Sequence, residues 1–103
     1  MSKYKIIFAL EAKQDLIEIQ NYIYEDSQSL AIADNFVLDL FQTLTGSLPS
    51  FPFKHPVYKR NIRKFVFPEH THYCAYFKVD EVQSQIIVLA ITNTSQYTRY
   101  RDL

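Results

Sequence analysis

The densest chemistry in this sequence is cationic. Lys59-Arg60-Asn61-Ile62-Arg63-Lys64 sets four bases in six positions, next to Lys54 and His55, with no acid among them. Read as the head of a strand, this segment presents guanidinium groups from a rigid sheet, which suits a phosphate or a carboxylate. The polar, aromatic end of the chain adds Tyr97, Arg99, Tyr100 and Arg101. Together the two segments make the aromatic and basic groove that single-stranded nucleic acid requires, while a hairpin of solvated charges is the plainer reading. His70-x-His72-x-Cys74 would put three metal-capable side chains on one side of an extended strand. His70 follows a Pro-Glu turn and leaves that register, so edge and surface positions account for the trio and no metal site is expected. The serines lack any supporting nucleophile motif, and the acids fall mostly on the outer faces of the helices, which disfavours paired-carboxylate chemistry.

Those side chains need elements to hold them. Lys5-Ile6-Ile7-Phe8 reads as a short strand. From Glu11 the apolar spacing lengthens, and Ala12, Leu16, Ile19 and Ile23 form one stripe of a helix running to about Glu25. Asp26 to Ser29 is a polar break too short for anything but an antiparallel return, with serines available to cap the next helix. Ala33, Phe36, Val37, Leu40, Phe41, Leu44 and Leu48 trace the face of that second helix, and Gly46, Pro49 and Pro52 are expected to end it, the glycine in a left-handed cap. After the loop Phe51–Pro56, the segments Tyr58–Phe67, Thr71–Val79 and Gln85–Thr92 read as an antiparallel meander. In its middle strand Thr71, Tyr73, Ala75, Phe77 and Val79 share one face and His72, Cys74, Tyr76 and Lys78 the other. The expected fold is α+β, an N-terminal strand and a helical hairpin packed on an antiparallel sheet, as a single domain over residues 1–103.

Composition narrows the function. An apolar fraction of 48% with 21% charged residues is that of a globular domain. The one glycine excludes a P-loop, a dinucleotide fingerprint and a nucleophile elbow, so no cofactor is expected. The one cysteine suits a reducing cytosol. The apolar runs Ile6–Leu10 and Ile86–Ile91 are far short of the ~18 residues of a membrane span, which predicts a cytoplasmic protein without membrane contact. The net charge of zero conceals an asymmetry, since seven acids against three bases precede Lys54 and eight bases against four acids follow from it. That favours a polyanion or an acidic partner for the second half.

The order of these pieces resembles the RelE/ParE toxin superfamily of bacterial toxin-antitoxin modules. The resemblance rests on Lys5-Ile6-Ile7-Phe8, Glu11-Ala12-x-x-Asp15-Leu16-x-x-Ile19-x-x-Tyr22-Ile23 and Ala33-x-x-Phe36-x-x-x-Leu40. It continues through Leu48-Pro49, Asn61-Ile62-Arg63, Phe67-Pro68, Tyr76-Phe77-x-Val79-Asp80 and Ile87-Val88-Leu89-Ala90-Ile91, so it spans nearly the whole chain. It implies a small toxin neutralised by a cognate antitoxin that wraps its helices and sheet. One branch cuts mRNA on the ribosome with basic and aromatic residues, and the other inhibits DNA gyrase. The long helical hairpin is more similar to the ParE side.

The sequence departs from the family pattern where nuclease chemistry would reside. Cys74 follows Tyr73 where many relatives carry arginine, and Asn93-Thr94-Ser95-Gln96 replaces a His and Arg group. Asparagine is no general acid or base near neutral pH, and glutamine carries no charge for a developing phosphorane. The expectation is therefore a ParE-like toxin that binds an essential target through Lys59, Arg60, Arg63, Lys64, Arg99 and Arg101 with Tyr97 and Tyr100. The alternative is a metal-independent, ribosome-dependent mRNA endonuclease, with Arg63 on the scissile phosphate and Tyr97 or Tyr100 assisting proton transfer. A member that has lost toxicity and persists as an antitoxin-binding partner is the third reading. Self-association through exposed apolar surface of the hairpin stays open.

Overall fold

The computed structural model describes residues 4–94. β1 (Lys5–Phe8) leads into α1 (Leu10–Ser27) and α2 (Leu30–Ser47), and a single 3-10 turn at Pro52–Lys54 precedes β2 (Val57–Lys59), β3 (Ile62–Val66), β4 (Tyr73–Asp80) and β5 (Gln85–Asn93). The helices form where the apolar stripes predict them. Ala12 and Ile19 of α1 and Ala33, Leu40 and Leu44 of α2 are buried. Between the helices Gln28 takes the left-handed conformation at φ 57° and its N–H donates to the Tyr24 carbonyl. The Ser29 hydroxyl then caps α2 by accepting from the Ile32 N–H at 3.2 Å.

The left-handed cap expected at Gly46 is absent, because Gly46 lies inside α2 and the helix runs on to Ser47. Packing decides this. Leu44 and Leu48 are both fully buried, and continuing the turn that seats them outweighs the ~1 kcal/mol a helical glycine costs. Pro49 follows directly.

The sheet has the order β1-β5-β4-β3-β2. Strands β2 to β5 form the expected antiparallel meander, and β1 adds in parallel to β5, pairing Lys5–Phe8 with Gln85–Val88. The segment Tyr58–Phe67, expected as one strand, is instead a tight hairpin. Arg60 sits at φ 54° between β2 and β3, so the chain folds back and gives β3 a second hydrogen-bonded neighbour. β4 starts at Tyr73 rather than Thr71, since the preceding residues turn, with the His70 N–H on the Phe67 carbonyl and the Tyr73 N–H on the His70 carbonyl.

Both helices pack on one face of the sheet. Phe65, Phe67, Tyr73, Ala75, Phe77, Ile86, Val88 and Ile91 meet α1 and α2 there. Ile62, Cys74, Tyr76 and Ala90, with Tyr58 and Leu89 against them, form a separate cluster on the far face that contains no residue of either helix. A register shift in the β4–β5 pairing, which takes Tyr76 to Ala90 but Phe77 to Val88, skips Leu89 and resets the alternation. Asp15 is an exception to the expectation that the helical acids lie mostly on outer faces. It is buried, and its carboxylate accepts the Ile91 N–H at 3.0 Å, past the point where β1 stops pairing with β5.

Candidate functional site

The β2–β3 hairpin divides the basic segment instead of presenting it on one surface. Arg60 is exposed at the turn, and Lys59 is half-buried at the end of β2. Lys64 pairs with Tyr76 and Arg63 with Phe77, so these two adjacent bases point to opposite faces of the sheet.

On the far face Lys64 lies with its ammonium 5.8 Å from the centre of the Tyr58 ring, and the Tyr58 and Tyr76 rings meet at 4.9 Å with a 58° tilt. Burial, with Cys74 and Tyr58 beside it, raises the Tyr76 phenol well above its ordinary range. Tyr76 therefore stays protonated, a packing and hydrogen-bonding group and not a titrating acid. Cys74 is fully buried with its Sγ 3.6 Å from the Thr92 hydroxyl. The far face thus offers one cation on an aromatic pair, an arrangement that binds planar or anionic groups but supplies no base.

Arg63 has a different task. Its Nη1 donates to the His55 carbonyl at 2.6 Å and the Phe53 carbonyl at 3.3 Å, and its guanidinium lies 5.0 Å over the Phe53 ring. These contacts tie the Phe51–Pro56 loop to β3. The His55 ring fits edge-on against Phe65 at 4.8 Å and Phe77 at 6.0 Å, and its Nε2 is buried with no hydrogen-bond partner among the described residues. Burial first, then the charges of Lys54 and Arg63, lowers the pKa of His55 below its ordinary 6.5.

The histidines next to β4 separate. His70 donates from Nε2 to the Asp39 carboxylate at 2.7 Å and packs on Phe36 at 4.5 Å, so it fastens the β3–β4 turn to α2. His72 is exposed and offers its carbonyl to Thr94. His70 lies in the turn before β4 and does not share a strand face with Cys74, as its place after the Pro-Glu turn predicts. Tyr97, Arg99, Tyr100 and Arg101 lie outside the described residues.

Two groups escaped the sequence reading. Tyr58 and Tyr76 carried a weak signal, since strand alternation already set Tyr76 on the face opposite Phe77. The Asp39–His70 pair spans 31 positions and carried no local signal. The helical hairpin also exposes Leu10, Ile17 and Tyr24 on α1, at spacings of seven, and Leu38 and Phe41 on α2.

The family model described as ParE toxin of type II toxin-antitoxin system, parDE, matches residues 6–97. No curated protein sequence matches. Among solved structures the fold is similar to the chromosomal ParDE TA system from P. aeruginosa, at TM-score 0.75 and 18% identity, covering 88% of this chain and 96% of that one. It is similar to a chain of the toxin-antitoxin complex RelBE2 from Mycobacterium tuberculosis, at TM-score 0.65 and 14% identity over 88% and 98% of the two chains. The isolated E. coli RelE toxin aligns at TM-score 0.54 and 10% identity, over 96% and 93%. These likenesses support the α+β arrangement of two helices on a five-stranded sheet.

Proposed function

The chain belongs to the ParE toxin family of type II toxin-antitoxin systems, and from that premise we propose that it acts by binding an essential cellular protein of the gyrase type and is neutralised by a cognate antitoxin. The observation that carries the choice of binding over cleavage is the state of Arg63. Of the nuclease-type positions considered from the sequence it alone matched cleanly, and its Nη1 is engaged by two loop carbonyls, which turns that edge of the guanidinium toward the fold. Of the other nuclease-type positions, Cys74 holds a buried thiol and Asn93 an amide. The amide is no general acid or base near neutral pH. Arg60 at the hairpin tip, with Lys59 and Lys64, meets an acidic surface of the target; Arg99 and Arg101, outside the described residues, belong to the same proposed set by their charge. The exposed apolar residues Leu10, Ile17 and Tyr24 of α1 and Leu38 and Phe41 of α2 receive the antitoxin, a partner class supported by the toxin-antitoxin structures of similar fold.

A second reading, ribosome-dependent mRNA cleavage, is favoured by the tilted Tyr58–Tyr76 ring pair and the Lys64 ammonium near Tyr58 on the far face. Tightly controlled induction of the chain in a bacterial host, with and without the neighbouring gene, tests toxicity first. Growth arrest with altered plasmid supercoiling and intact transcripts is expected. Transcript cleavage lost on substitution of Lys64, Tyr97 or Tyr100 would replace the gyrase reading with the nuclease one, and normal growth at good soluble expression would favour a member without toxicity.

A further inference from the structure

The Phe51–Pro56 loop is held by two devices that depend on each other. Arg63 binds the carbonyls of Phe53 and His55, and the His55 ring is pressed between Phe65 and Phe77. The charged groups that act on that ring are Lys54 of its own loop and Arg63 of β3, both positive, and β4 contributes the apolar Phe77. An added proton would have to reside on a half-buried imidazole whose buried Nε2 has no acceptor among the described residues, against two aromatic rings and beside two cations. The same histidine supplies, through its carbonyl, the shorter of the two bonds that occupy the guanidinium.

We propose that the Phe51–Pro56 loop is a proton-sensitive latch on Arg63, closed while His55 is neutral and released when its ring is protonated, so that the freed guanidinium can take a phosphate-bearing or carboxylate-bearing ligand. The latch stands on the loop geometry alone, and the anion step rests on the target-binding role proposed for the basic hairpin. Once the ring leaves its slot, the His55 carbonyl moves with it and Arg63 loses its better acceptor. A guanidinium beside Lys54 on a rigid strand then becomes an anion site. The direction of the proton linkage agrees, since burial and both cations hold His55 neutral in the closed state.

The test is an NMR titration of the isotopically labelled full chain from pH 7.5 to 4.5, following the imidazoles of His55, His70 and His72, the amides of residues 51–57 and the guanidinium N–H signals of Arg63. The expected result is a His55 midpoint below that of an unfolded histidine, shifts of the loop amides with the same midpoint, and loss of the protected Arg63 signal. The variant His55→Gln should leave the loop and Arg63 signals flat with pH. Should that variant fail to fold, the wild-type titration decides alone, with His70 and His72 as internal references. Protonation of His55 without any change at the loop or at Arg63 would overturn the latch. Inorganic phosphate added on either side of the midpoint tests the second half: shifts at Arg63 only on the acid side support it, and a latch that opens without phosphate shifts at Arg63 overturns the anion site while leaving the toxin reading to the growth assay.

Discussion

The two faces of the sheet are built to different rules. The helix-covered face is closed by Phe65, Phe67, Phe77, Ile86, Val88 and Ile91 against leucines of α2, a layer of large apolar bodies. The far face uses Cys74, Ala90, Ile62 and Tyr76, with Tyr58 and Lys64 at its margin. The first buries volume and gains most of its stability from dispersion and dehydration. The second is small, hydroxyl-bearing and edged by cations, so it gains less and displays more. Most of the apolar burial therefore lies on one side of the layer, and the basic hairpin shows the division within two residues, Arg63 bracing one side and Lys64 facing the other.

The comparison breaks most visibly at Phe77. Phe77→Ala should cost about 3–5 kcal/mol, read as a lowered denaturant midpoint, because it empties the centre of the covered face; an equal loss for Tyr76→Phe would erase the distinction between the faces. Asp15→Ala should cost about 1–3 kcal/mol by leaving the buried Ile91 N–H without its acceptor, with faster amide exchange at Ile91 as the local signature. Tyr76→Phe removes one hydroxyl from the far face and should cost about 1 kcal/mol or less by the same unfolding measurement. Gly46→Ala touches neither face. A methyl group there meets nothing within 4 Å, and the helix should gain roughly 0.5–1 kcal/mol, seen as a modest rise in Tm.

Proton dependence sharpens the contrast from the covered side. The folded state holds His55 below 6.5, so the unfolded chain binds more protons and stability is lost as pH falls below 6.5 toward the lowered value. Thermal unfolding across that range should show a steeper acid decline for the wild-type chain than for His55→Gln. Arg63→Ala should loosen the same loop at every pH, detected as faster amide exchange over residues 51–56, so any loss of toxicity in that variant reads as a folding effect unless Arg60→Ala and Lys64→Ala share it.

Much of this was legible in the chain. The 3.6-residue stripes placed both helices, alternation divided Tyr73, Ala75 and Phe77 from Cys74, Tyr76 and Lys78 correctly, and the Ser29 cap followed from its position. Local signals failed where a long-range contact set the outcome. Gly46 looked like a terminus until the burial of Leu48 carried the helix through it. The uninterrupted polar-apolar run at Tyr58–Phe67 gave no turn signature of the usual Asn-Gly kind, and its reversal at Arg60 followed from the edge of β3 needing a partner.

What the sequence determined by itself is the two helices, the strands β1, β4 and β5 and the order of the elements, because periodicity and capping are properties of neighbours in the chain. What only the tertiary structure decided is which polar groups work on the fold and which face outward. Asp15 meets Ile91 across 76 positions, His70 meets Asp39 across 31, and Arg63 finds the Phe53 and His55 carbonyls only once the loop has folded over β3. A charged side chain's role depends on which buried donors and acceptors would otherwise go unpaired, and that is settled by packing between distant segments, not by the residue's own neighbours.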